Sequence, residues 1–225
     1  MKRIPEPELM DTPEQAAAYA EADFEEPHSQ IVSQFQRVFP NVDVSGEILD
    51  LGCGPGDIAF RFARLFPHSR VTGVDGSHEM LKLSEERAET EALTNRLTFI
   101  QGIIPGVPLP EQSYDAIVSN SLLHHLHHPE HLWSTVRAYS RPETLIFIAD
   151  LMRPDNPETA REIMEKHSGN EPEVLQRDFY NSLHAAFEIE EIREQLQQAD
   201  LNHLQVEPIS DRHLLVWGRF DGAPF

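Results

Sequence analysis

The 225 residues predict an open α/β fold: a parallel sheet with helices on both faces, extended by helical caps at both ends. Three observations carry that prediction. Short apolar runs with strand character alternate with helical patterns between about residues 46 and 150. The first of those runs ends in three alternate glycines, Gly52, Gly54 and Gly56. The segments on either side break the alternation and read as helical. Strict alternation of strands and helices demands crossover connections, and these are right-handed when the sheet is parallel.

Taken in order, 12–20 and 29–39 are candidate helices of an N-terminal cap. The run EILDL at 47–51 is the clearest strand. Behind the glycines, Ile58, Phe62, Leu65 and Phe66 mark one helical face, with Asp57 placed to cap its start. RVTGVD at 70–75 is short and β-branched. A helix is expected from 78 to 92, with Leu81, Ser84, Ala88 and Ala92 on one side. Strands at 97–101, 114–119 and 143–150 enclose a helix at 131–139. Beyond the fifth strand the reading turns helical again, at 158–167, 173–187 and 189–199, before two closing strands at 204–208 and 213–218. The expected organisation is one domain in four parts: a helical cap at 1–40, a cofactor-binding core at 41–150, a helical substrate cap at 151–203, and closing strands at 204–225.

Composition narrows the function. A formal charge of −20 argues against a nucleic-acid partner, since phosphate binding rests on clustered Lys and Arg. No apolar run reaches the length of a membrane span, and no secretory signal is expected behind MKRIPEPELMD. The single cysteine, Cys53, excludes an internal disulfide and suits a reducing cytosol, so a cytoplasmic location is expected. Cys53 itself reads as a small filler in a tight loop.

The glycines locate a ligand. In open α/β sheets ligands sit outside the carboxyl ends of the strands, and a glycine-rich loop leaving the first core strand is at that address. Glycine there permits positive φ angles or close approach of the backbone to a ligand. A dinucleotide loop, G-x-G-x-x-G, would need its third glycine at position 57. An aspartate stands there, and an acid at a helix N-terminus is a poor host for a pyrophosphate, which disfavours a nicotinamide oxidoreductase. Asp75, ending the second strand, can accept from two ribose hydroxyls at once. Asn120 follows the fourth strand at the same cleft edge.

Residues 46–150 resemble the core of class I S-adenosylmethionine-dependent methyltransferases, in the small-molecule branch related to the ubiquinone and menaquinone methyltransferases. The resemblance is carried by DLGCGPG at 50–56, by VDGSHEML at 74–81, and by SYDAIVSNSLLHHL at 113–126. It implies a Rossmann-like, doubly wound, seven-stranded mixed sheet whose last strand is antiparallel. It also implies S-adenosyl-L-methionine as cofactor. Asp50, Gly52, Gly54 and Gly56 would form the loop, with Gly52 and Gly54 bordering the methionine part. Asp75 and Gly76 would lie at the ribose, Met80, Gln101, Gly102 and Ile103 around the adenine, Asn120 near the amino group, and Tyr19 in the covering cap. One departure stands out: many relatives place an acid after the third strand, where this chain has Ile103 and Ile104.

Methyl transfer from a sulfonium is an in-line displacement, so the protein's main task is alignment and exclusion of water. A general base helps only a nucleophile that starts protonated; His28, His124, His125 and Tyr180 are the candidates. Asp150 and Arg153, at the end of the fifth strand, are placed to reach substrate. The histidines from His124 to His131 invite a metal reading, but no cysteine or ordered acidic partner accompanies them and Pro129 interrupts the run, so no metal is expected. The expected partner is a small-molecule methyl acceptor, with a homodimer left open. The competing reading is a non-catalytic S-adenosylmethionine-binding sensor or subunit.

Overall fold

A computed structural model describes residues 1–7 and 25–222. The expected helix at 12–20 and the candidate residue Tyr19 lie outside the described residues. Helix α1 (Glu25–Val38) buries His28, Ile31, Phe35 and Val38 along one stripe, as an amphipathic helix must. Then follow β1 (Glu47–Leu51), α2 (Asp57–Leu65), β2 (Arg70–Asp75), α3 (His78–Thr90), β3 (Leu97–Gln101) and β4 (Tyr114–Asn120). A single 3₁₀ turn (Leu123–His125) precedes α4 (Glu130–Tyr139) and the long β5 (Ser140–Leu151). Helices α5 (Pro157–Ser168), α6 (Glu173–Ala185) and α7 (Ile189–Gln198) form an insertion before β6 (Gln205–Pro208) and β7 (His213–Arg219).

The seven strands lie in the order β3-β2-β1-β4-β5-β7-β6. Strands β1 to β5 pair in parallel, and β7 runs antiparallel between β5 and β6. Strand order reverses at β1, whose neighbours are β2 and β4. The carboxyl ends of β1, β2 and β4 therefore open one crevice, with the glycine loop at its centre.

Alternation along β5 shows how the two faces are filled. Leu145, Phe147 and Ala149 join Ile48, Val118, Ile58 and Phe62 on one face; Ile146 and Ile148 join Leu49, Ile117, Leu132 and Trp133 on the other. A period of two sends successive side chains to opposite sides. Phe35 pins α1 to the first face through edge contacts with Phe62, Phe66 and Phe147 at centroid distances of 4.9, 5.8 and 5.3 Å. A satellite cluster of Leu151, Ala160, Ile163, Leu183 and Ala186 holds the insertion together. Residues 1–7 lie against this insertion: the Ile4 amide donates to the His184 carbonyl at 2.9 Å, and Arg3 donates to the carbonyls of Ala185, His124 and Leu126 at 2.5, 2.9 and 3.0 Å.

Candidate active site

The crevice is a cavity of about 420 Å³ lined by the glycine loop, the ends of β2 and β4, the 3₁₀ turn, α1, the insertion and the β6–β7 loop. Gly52, Gly54 and Gly56 have φ of +70°, +52° and +83°, values that L-residues reach only under strain. The loop is held from behind: the amides of Gly52 and Cys53 both donate to the Val74 carbonyl, at 2.8 and 3.0 Å. A Cβ at Gly52 would stand 2.8 Å from Leu122, whereas one at Gly54 would meet nothing within 4 Å. Gly52 is thus fixed by packing, and Gly54 presents bare backbone to the cavity.

Asp75 closes the loop against β2. Its Oδ2 accepts from the Gly54 amide and its Oδ1 from the Ser77 amide, each at 2.8 Å. The Gly76 amide also bears on the carboxylate, and of its roughly four lone-pair sites one remains to accept from a ligand. Burial raises the Asp75 pKa, against the backbone N–H groups that lower it. Asp50 is more extreme. It is fully buried, its Oδ2 has no hydrogen-bond partner, and burial together with the Asp75 charge pushes its pKa up to about 8. Among the described residues neither acid takes part in an ion pair. A buried and a half-buried acid without a side-chain cation form a cradle that favours a positively charged ligand.

Met80, Gly76, Gly102, Ile103 and Asn120 also line the cavity. Ile103 is exposed, presenting an apolar surface just beyond β3. Gly56 and Gln101 do not line it: Gly56 caps α2 and packs near Phe60 and Phe99, and the Gln101 side chain donates to the Gly76 carbonyl at 3.3 Å. Asp57 does not cap α2 either, since the capping residue is Gly56. Its carboxylate instead accepts from Arg61 Nε and Arg87 Nη1, at 2.7 and 3.0 Å, and meets His28 Nδ1 at 2.7 Å. Burial works against the Asp57 charge, but those three partners outweigh it and hold its pKa below the usual carboxylate range. His28 thus lines the cavity while tied to α2.

On the far wall, His124 is buried with Nδ1 2.6 Å from Asp150 Oδ1. Burial disfavours its charge, but Asp150 and then Glu6 prevail and raise its pKa. His125 goes the other way, lowered to about 3 by burial and by the neighbouring His124. Asp150 is withdrawn from substrate: besides His124 it accepts from the amides of Leu123 and Leu151, both at 2.7 Å. Arg153 is withdrawn too, paired with Glu188 and Glu191 at 2.9 Å each and donating to the Ala186 carbonyl. Tyr180 packs on the satellite cluster and on His184, with ring centroids 4.5 Å apart; its neighbours Asp178, Phe179 and Ser182 line the cavity instead.

Two participants escaped the sequence reading. Arg212, on the β6–β7 loop, is the one guanidinium lining the cavity among the described residues. Glu6 reaches the 3₁₀ turn from 118 positions away, with Oε1 3.2 Å from His125 Nδ1 and 3.6 Å from His124 Nε2. No local pattern marks either residue; both arrive through tertiary folding alone.

Sheet order, positive-φ glycine loop and the carboxylate ending β2 define a Rossmann-like fold of the S-adenosylmethionine-dependent methyltransferase class. Residues 48–143 match the family described as methyltransferase domain. The chain is 39% identical over 71 residues to a demethylmenaquinone methyltransferase of Porphyromonas gingivalis, covering 31% of this chain and 29% of that protein. It is 28% identical over 204 residues to the phthiotriol/phenolphthiotriol dimycocerosates methyltransferase of Mycobacterium leprae, covering 89% and 68%. Across the first of these relatives the chain thus spans less than a third of the other protein's length. Among solved structures it is similar in fold to the plantazolicin methyltransferase BpumL in complex with SAH, with a TM-score of 0.70, 19% identity, and 93% and 91% of the two chains covered.

Proposed function

We infer that the protein transfers a methyl group from S-adenosylmethionine to a small molecule in the cytoplasm. The observation that carries this reading is the cradle of Gly52, Gly54, Asp50 and Asp75, which offers bare backbone, one buried and one half-buried acid, and among the described residues no side-chain cation paired with either. When bound, the cofactor supplies an electrophilic methyl on a sulfonium. Asp75 meets the ribose hydroxyls with the acceptor capacity that the amides of Gly54, Gly76 and Ser77 leave open. Gly52 and Gly54 border the methionine part, and the Asp50 carboxylate, ionising as positive charge arrives, offsets that charge. Met80, Gly102 and Ile103 hold the adenine by packing and backbone, and Asn120 lies near the amino group.

The chain's remaining task is to hold an acceptor in line and exclude water. The far wall of His124, His125, Phe179 and Arg212 is placed for that acceptor. Arg212, whose pKa is lowered by burial despite Asp211, favours an acceptor bearing negative charge or an oxygen hydrogen-bond acceptor. No described helix is long and apolar enough to cross a membrane, which fits a protein that works on diffusing metabolites. Incubation with methyl-labelled S-adenosylmethionine and a panel of quinols, phenols and small carboxylic acids tests the reading. Label on any member that is absent when Asp75→Ala replaces the parent supports it. Tight cofactor binding with no transfer to any member points instead to a sensor or subunit.

A further inference from the structure

The wall of the cavity formed by the 3₁₀ turn carries three convergent lone pairs that cofactor binding does not use. The Asp150 carboxylate, which already accepts from two backbone amides, accepts a third hydrogen bond from His124 Nδ1–H across 2.6 Å. In the neutral ring this leaves His124 Nε2 as a bare lone pair. His125 hydrogen-bonds the Pro7 carbonyl. That contact is not through Nδ1, which is buried without any hydrogen-bond partner; the proton therefore sits on Nε2, and Nδ1 is also bare. Glu6 Oε1 completes the group, 3.2 Å from His125 Nδ1 and 3.6 Å from His124 Nε2, and the three ligand atoms lie within 4.8 Å of one another.

Donor atoms gathered this closely in a buried place favour a cation among them, either a metal ion or a proton held between His124 Nε2 and Glu6. The spacing suits a small cation: two ligands each roughly 2.1 Å from a tetrahedral zinc stand roughly 3.4 Å apart. Two imidazoles and one carboxylate form a donor set that divalent transition ions favour. The surroundings are built as metal sites are. Asp150 fixes the tautomer and orientation of His124 from behind, the usual arrangement of a carboxylate supporting a metal-bound histidine. Ser182 Oγ donates to Glu6 Oε1 at 2.9 Å, and Arg3 holds the carbonyl of His124 itself.

We propose that Glu6, His124 and His125 form a divalent transition-metal site of the zinc class, with Asp150 as the positioning residue behind His124. His124 and His125 also line the cavity, so an ion held by these three side chains would stand beside the space where an oxygen-bearing molecule would sit. The site stands on its own donor atoms and does not rest on methyl transfer.

The metal-free full chain, prepared with a chelator, is titrated with Co²⁺ at pH 7.5 while visible absorption is followed. Expected are bands of low-symmetry Co²⁺ saturating at one ion per chain and displaced by one equivalent of Zn²⁺. His125→Ala and Glu6→Gln each weaken Co²⁺ binding tenfold or more, an effect of the size that loss of a supporting group already has. His128→Ala, at an exposed imidazole facing Glu130, leaves it at the parent value. Circular dichroism of the metal-free variants confirms that both retain the fold, and Glu6→Gln preserves shape if the alanine variant does not. Absence of a stoichiometric Co²⁺ spectrum in the parent, or parent-like affinity in the folded variants, overturns the proposal.

Discussion

Replacing Asp50 by Asn should stabilise the protein, and by an amount that depends on pH. The Asp50 carboxyl is fully buried and its pKa rises from 3.8 to about 8 in the folded chain. In the unfolded chain it ionises above 3.8, while the folded chain holds it protonated, so the unfolded state loses its proton first and is favoured as pH rises. Stability from this group is whole below 3.8 and is lost progressively until about 8. Each pH unit in that window costs about 1.4 kcal/mol, so the native state forfeits about 4 kcal/mol by pH 7 and roughly 1.5 kcal/mol by pH 5. Asn keeps the shape and places a neutral amide where the orphaned Oδ2 faces the cavity. Asp50→Asn should therefore gain up to about 4 kcal/mol at pH 7 to 8, a rise in melting temperature on the order of 10 °C, with a smaller gain at pH 5. Urea unfolding of parent and variant at both pH values measures it. A variant less stable than the parent at pH 8, or a gain that does not change with pH, would refute the account of this carboxyl.

Other substitutions probe separate parts of the structure. Gly52→Ala should cost about 2–4 kcal/mol, combining a left-handed conformation with overlap on Leu122. Gly54→Ala faces open space and should cost only about 1 kcal/mol; denaturant midpoints in the reverse order would contradict the loop geometry. Phe35→Ala should cost about 3–5 kcal/mol, because it removes the ring that pins α1 to the sheet, and equilibrium unfolding reads this directly. Arg153→Met should cost about 1–3 kcal/mol, since it leaves the Ala186 carbonyl without its donor, and should leave cofactor affinity unchanged in calorimetry because Arg153 lies outside the cavity.

The legible parts of this molecule are those fixed by local rules. Strands at 47–51, 70–75 and 97–101 coincide with their apolar runs: the first two are buried along most of their length, and the third, at the sheet edge, is delimited by its β-branched and aromatic residues. β5 begins three residues before its expected start because its early part, near Arg141 and Glu143, is polar and carries no strand signal. The glycine loop was readable because backbone at positive φ demands a particular residue at a particular place. Asp57, Asp150, Arg153 and Tyr180 were not: each is defined by what packs against it. Arg153 meets Glu188 and Glu191 on α7, Asp150 meets His124 on the 3₁₀ turn, and Tyr180 faces about 100° away from its cavity-lining neighbour Phe179 because a helix turns that far per residue. The acidic partners of His124 and His125 lie far away in the chain, at Glu6 and Asp150, so spacing within the histidine run held no trace of them.

The central claim is that the cradle of Gly52, Gly54, Asp50 and Asp75 binds S-adenosylmethionine. Calorimetric titration of the parent and of Asp75→Ala at pH 7.5 tests it most directly. The account predicts one site per chain in the parent, with micromolar affinity corresponding to about −8 kcal/mol, and loss of that binding in the variant. Equal affinity in parent and variant, or no heat in a folded parent, would contradict it.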